Sequence, residues 1–140
     1  MFDTAVMVAA IRSDAGASRR LLVDVLEQRG LTLLISVPLL IEYEAVMTRT
    51  EHLKAARLSA ADVGVLLDAV VAVAEPVRLE FLWRPTSSDA NDDMVLETAV
   101  NGRAEGIVTF NQRDFGVATE RFGIPVLLPA EALSQLEKRS

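Results

Sequence analysis

Gly106-Ile107-Val108-Thr109-Phe110-Asn111-Gln112-Arg113-Asp114-Phe115 opens on a short apolar, branched run and breaks into a polar turn that carries an acid. The run is too short for a helix and does not alternate, which is the pattern of a strand buried on both faces. Met1-Phe2-Asp3-Thr4-Ala5-Val6-Met7-Val8 reads the same way, with Asp3 inside the strand or at its edge. Leu31 to Val37 and Ile124 to Leu128 repeat the pattern, and Val77 to Trp83 gives a weaker version of it. Helical patterns separate these runs. They cover Ala17 to Gln28 (ended by Gly30), a helix after Pro38 and a short one from Glu51 to Ala56. A long helix with Val63, Leu66, Leu67, Val70, Val71 and Ala74 at core positions follows the capping-box sequence Ser59-Ala60-Ala61-Asp62. Pro85 to Asn91 is a loop, Asp92 to Val100 a helix stopped by Gly102, Ala118 to Arg121 a short helix, and a last helix starts at Pro129. Strands alternating with helices predict an α/β fold: three layers, α/β/α, around a mainly parallel central sheet. Residues 1–140 are read as a single domain.

Composition narrows the chemistry. Hydrophobic residues make up 51% of the chain, enough for a substantial core. Cysteine is absent, so a disulfide framework, a zinc ribbon and a thiol nucleophile are all excluded. With His52 as the single histidine, a bound metal would be held by oxygens, which selects hard cations such as Mg²⁺ or Mn²⁺. No apolar run approaches the roughly 18 residues of a membrane span and no basic-then-apolar leader is present, so a soluble, cytoplasmic protein is expected. The net charge of −6 works against non-specific nucleic-acid binding, which needs many phosphate-neutralising cations. The objection weakens if several of the acids are gathered at one site around a metal.

Sites in open α/β sheets lie outside the carboxyl ends of the strands. Asp3, Glu42, Asp92 and Asp114 stand near such ends or at the starts of the helices that follow, far apart in sequence as a sheet-assembled site requires. Gathered carboxylates repel and drift toward neutrality unless a cation compensates. The competing reading is ordinary: most of the 20 acids must be solvated, and Asp92 and Asp93 at a helix N-terminus are favoured by the dipole with no function needed. Asp3 is the strongest single candidate, because a charge inside an apolar run is costly unless paired or metal-bound. On spacing alone, both readings stay open.

Phe2-Asp3-Thr4, Ile35-Ser36 followed by Glu42-Tyr43-Glu44, Asp89-Ala90-Asn91-Asp92, and Val108 to Phe115 resemble the successive motifs of PIN-domain proteins. Gly123 to Pro129 is similar to their closing strand, so the likeness spans nearly the whole chain in order. It is greatest to the toxin components of bacterial type II toxin–antitoxin systems, the VapC-like group. The resemblance implies an endoribonuclease dependent on Mg²⁺ or Mn²⁺, acting on RNA, restrained by a cognate antitoxin protein and forming a homodimer. It implies Asp3, Glu42, Asp92 and Asp114 as metal-binding and catalytic acids, with Thr109 and Asn111 as polar neighbours and Asp89 as a less central acid. Glu44 competes with Glu42, but two residues along a helix it faces another way. One position departs from the pattern: many relatives carry Asn two residues after the first Asp, and here that place is Ala5. An amide orients a carboxylate or a water; a methyl group does not.

Ala5 also bears on the alternatives. A haloacid-dehalogenase-like phosphatase needs a second Asp at that place and a later Lys. A signalling receiver domain needs paired acids at the end of its first strand. Neither pattern is met. A PIN-like module that binds RNA or protein without cleaving, or cleaves weakly, stays open because of Ala5. Arg19 and Arg20 are read as a solvated helix face, with contacts to RNA phosphates as the alternative. Arg12, Arg49 and Arg113 are similar candidates, and His52 is read as a surface residue.

Overall fold

A computed structural model of the chain describes residues 1–80 and 90–139, with the backbone alone at residues 90–93 and 139. The opening residues depart from the strand expected over Met1 to Val8. Phe2 alone forms a parallel bridge, to Val108, and helix α1 (Thr4–Arg12) begins directly afterwards. Residues 4–11 are almost all apolar or small, so a period of two and a period of 3.6 fit them equally well. The cap decides between them. Asp3 is extended and its carboxylate accepts from the Thr4 amide, satisfying a helix-start donor. Val6, Met7, Ala10 and Ile11 then face the core while Ala5 is exposed.

Helix α2 (Ala17–Leu26) leads to β1 (Leu34–Ile35), where Ser36 caps α3 (Val37–Met47). Helix α4 (Thr50–Ala56) follows, and then α5 (Ala60–Val73), opened by the predicted capping box. Both of its reciprocal bonds are present: Asp62 N–H to Ser59 Oγ at 3.1 Å and Ser59 N–H to Asp62 Oδ2 at 2.9 Å. These bonds hold the exposed Asp62 carboxyl below its usual range. The next strand is β2 (Glu75–Pro76), earlier than the run expected from Val77 to Trp83; Val77 extends its pairing by donating to the Ile35 carbonyl, and Phe81 to Trp83 lie outside the described residues. Helix α6 (Ala90–Asn101), β3 (Ile107–Val108), a 3₁₀ turn (Gln112–Phe115), α7 (Gly116–Phe122), β4 (Val126–Leu127) and α8 (Pro129–Arg139) complete the chain.

The strand pairing is parallel, as expected, but sparse. Among the described residues β1 pairs with β2 and β3 with β4, as two separate two-stranded pieces, with Phe2 bridging to β3. The three-layer arrangement around one continuous sheet is therefore not what these residues form; most of them are helical. The reason lies at the strand ends. Asp3 and Ser36 are helix caps directly after their strands, and Pro76 and Pro125 have no amide to donate to a ladder.

One buried cluster joins Phe2, Met7, Leu21, Leu39, Tyr43 and Ile107. Gly102, just past α6, does more than stop the helix: a Cβ there would lie 2.8 Å from side-chain atoms of Leu34 and Val77. Its bare backbone lets the end of α6 close on β1. Arg19 is used by the fold rather than held ready for phosphate. Its guanidinium donates to the carbonyls of Ala10 and Ile11 at the end of α1 and lies 3.6 Å from Asp14. Arg20 pairs with Glu137 on α8 at 3.1 Å, and Arg12 meets His52 Nδ1 at 3.2 Å. No helix among the described residues is long and apolar enough to cross a membrane.

Candidate active site

Asp3 sits where the first bridge hands over to α1, and only 7% of it is exposed. Its backbone amide donates to the Val108 carbonyl at 2.9 Å, which pins it beside β3. Each carboxylate oxygen then has a donor: the Thr4 amide reaches Oδ1 at 2.8 Å and the Thr109 hydroxyl reaches Oδ2 at 2.8 Å. Thr109 is fully buried, and its Oγ1 in turn accepts from the Asn111 amide at 3.0 Å. A residue at the start of the chain and one just past β3 are thus locked together, with the Asn111 backbone attached through Thr109.

Helix α3 is anchored to the same spot. The Tyr43 hydroxyl donates to the Phe2 carbonyl at 2.5 Å, one residue before Asp3. Burial first, and the negative charge of Asp3 second, hold the Tyr43 phenol above its usual range, so it stays a donor. Glu42, its neighbour on α3, is half-buried, whereas Glu44 is exposed. The start of α3 is tied to α6 by a relay: Leu39 N–H to Ser36 Oγ at 3.4 Å, Ser36 to Thr98 Oγ1 at 2.6 Å, and Thr98 to the Met94 carbonyl at 2.8 Å.

Asp92 lies in the first turn of α6, its side chain outside what the structure describes, and Asp89 lies outside the described residues altogether. Asp114 is exposed in the 3₁₀ turn, with its amide donating to the Asn111 carbonyl at 3.1 Å. Ala5 is exposed on the second residue of α1. Among the described residues no three His, Asp or Glu side chains come together to hold a metal ion; Asp89 and the side chains of Asp92 and Asp93 lie outside them. The donor chemistry that is described suits a hard cation: oxygen atoms alone, with Asp3 buried. The Thr4 hydroxyl, next to Asp3, is buried without a hydrogen-bond partner.

Glu97 was missed by the sequence reading. It is 1% exposed on α6, inside Met94-Val95-Leu96-Glu97-Thr98-Ala99-Val100. An acid within an apolar run is the signal that singles out Asp3, and it applies equally here.

The family model described as PIN domain matches residues 1–113. The chain belongs to the PIN-domain family. PIN domains are generally nucleases and typically use divalent metals. The match covers Asp3, Thr109 and Asn111, together with Glu42, Asp89 and Asp92, and ends one residue before Asp114. In this PIN domain the best-defined acid is therefore Asp3, held by Thr109. Comparison with curated proteins and with solved structures gives no match.

Proposed function

We propose that the protein is a metal-dependent endoribonuclease that hydrolyses RNA phosphodiesters and serves as the toxin of a toxin–antitoxin pair. The observation that carries this reading is Asp3, a buried carboxylate fixed through both oxygens in a PIN domain. Asp3, Glu42, Asp92 and Asp114 would hold Mg²⁺ or Mn²⁺, with Thr109, Asn111 and Asp89 beside them. When bound, such an ion stabilises charge on a phosphodiester and makes a nearby water more acidic. The chain's own contribution is order. Thr109 and the Thr4 amide set the plane of the Asp3 carboxylate, and Tyr43 holds Glu42's helix against the same backbone. Fixed dipoles and charges of this kind need no reorganisation during reaction.

A second reading, binding without cleavage, is favoured by one feature: Ala5 presents a methyl group on α1 at the place where the PIN-domain resemblance leads one to expect an amide. The antitoxin and a second copy of the chain are proposed partners. Val37 and Ile41 on α3, 70% and 63% exposed, and Val65 on α5, 70% exposed, offer apolar contacts for them.

Purified protein is expected to cut single-stranded RNA in Mn²⁺ or Mg²⁺, to stop in EDTA, and to recover when excess Mn²⁺ is added. Gel analysis of end-labelled RNA checks this. Binding without turnover in either metal establishes the second reading, and cleavage indifferent to EDTA overturns the metal dependence.

A further inference from the structure

Beside the Asp3 site lies a groove of about 370 Å³ whose lining includes Ala9 and Ser13 of α1 and its end, Ser18 of α2, Phe110, Leu128 and Pro129. Two of its walls, α1 and the segment after β3, belong to elements that build the site, and α2 and the start of α8 supply the others. Phe110 directly follows Thr109, which bonds Asp3, and Ala9 lies six residues from Asp3, about 9 Å along the helix. Phe110 is 48% exposed. It stands apart from the other aromatics: Phe2, Tyr43 and Phe115 are buried, Phe122 is half-buried, and Phe81 and Trp83 lie outside the described residues. Among the described residues it is the one Phe, Tyr or Trp side chain that is exposed.

Charge says what kind of ligand. The chain has 14 Lys and Arg against 20 Asp and Glu, so phosphate neutralisation contributes little to RNA affinity. Arg19 and Arg20, which follow Ser18 on α2, are committed to α1 carbonyls and to Glu137. An acidic ribonuclease must draw its affinity from a source indifferent to net charge, and base stacking on an aromatic face is one. We infer that the groove is a nucleobase subsite: a base next to the cleaved phosphodiester stacks on Phe110, its edge toward the hydroxyls of Ser13 and Ser18. The occupant is single-stranded RNA, since stacking needs an unpaired base. This inference rests on the ribonuclease reading and deepens it by naming a substrate contact.

The test measures affinity and cleavage separately, with the full-length chain. Affinity for a short single-stranded RNA carrying 2-aminopurine is measured in EDTA, for wild type, Phe110→Ala and Phe110→Trp. Phe110→Ala is expected to weaken binding about five- to a hundredfold, the effect of one stacked base. Phe110→Trp is expected to keep it and to quench 2-aminopurine fluorescence on binding. Equal affinity of wild type and Phe110→Ala overturns the subsite, and so does wild-type protein that binds no RNA. An RNA-binding protein that depends on Phe110 yet never cleaves supports the subsite and removes the nuclease reading. Cleavage in Mn²⁺ with the same kcat/KM in wild type and Phe110→Ala does the reverse. Should Phe110→Ala bind RNA normally and lose a stoichiometric protein partner, the groove belongs to that partner and the subsite is refuted.

Discussion

Asp3→Asn is expected to lower RNA cleavage by about 10²- to 10³-fold, the range for removing one preorganised electrostatic contributor. The fold should survive. Asn caps a helix about as well as Asp, so the bond from the Thr4 amide is kept. What changes is the second oxygen: the amide nitrogen that replaces Oδ2 cannot accept from the Thr109 hydroxyl, and the negative charge is gone. Cleavage rate and the thermal unfolding midpoint of the same preparation separate the two effects. Asp3→Ala is the harsher control, since it also removes a cap worth about 1 kcal/mol. Wild-type turnover by Asp3→Asn would remove Asp3 from the chemistry.

The largest loss of stability is expected at Tyr43, a fully buried side chain in the centre of the core. Truncation of a buried aromatic to Ala costs about 3–5 kcal/mol, a large share of the roughly 5–15 kcal/mol that holds a domain together. Tyr43→Phe keeps the packing and removes only the hydroxyl bond to the Phe2 carbonyl, so about 1–2 kcal/mol is expected. Urea unfolding of the three proteins gives both numbers. A Tyr43→Ala variant within 1 kcal/mol of wild type would mean that α3 is not anchored to the Asp3 segment as described.

Much of this arrangement is legible in the residues. Ser59 and Asp62 announce a capping box and Gly102 a helix end, and both are found. Of the core face expected from Val63 to Ala74, Val63, Leu67 and Val70 are buried and Leu66 and Ala74 half-buried, but Val71 is 44% exposed, on the outer side of α5. The motif order that suggested a PIN domain agrees with the family match over residues 1–113. The first helix was not legible, because an all-apolar run carries no period and the deciding feature is a single hydrogen bond from Thr4 to Asp3. The extent of the sheet was overread for a related reason. Apolar runs of five to eight residues are long enough for strands, but caps and prolines at their edges leave pairs of two residues. At the site, Asp3 was legible as a charge in an apolar run; Glu97 obeys the same rule and was passed over. The pairing of Thr109 with Asp3 joins residues 106 positions apart, and no local pattern announces it. Arg19 shows the converse: a solvated face was expected, and the fold uses that side chain to close α1.

The proposed role of Asp3 in holding a divalent cation is tested most directly by titrating Mn²⁺ into the full chain and following free Mn²⁺ by electron paramagnetic resonance. Saturable binding by wild type, weakened tenfold or more in Asp3→Asn while the fold is retained, is the predicted result. Identical titrations of the two proteins would contradict it.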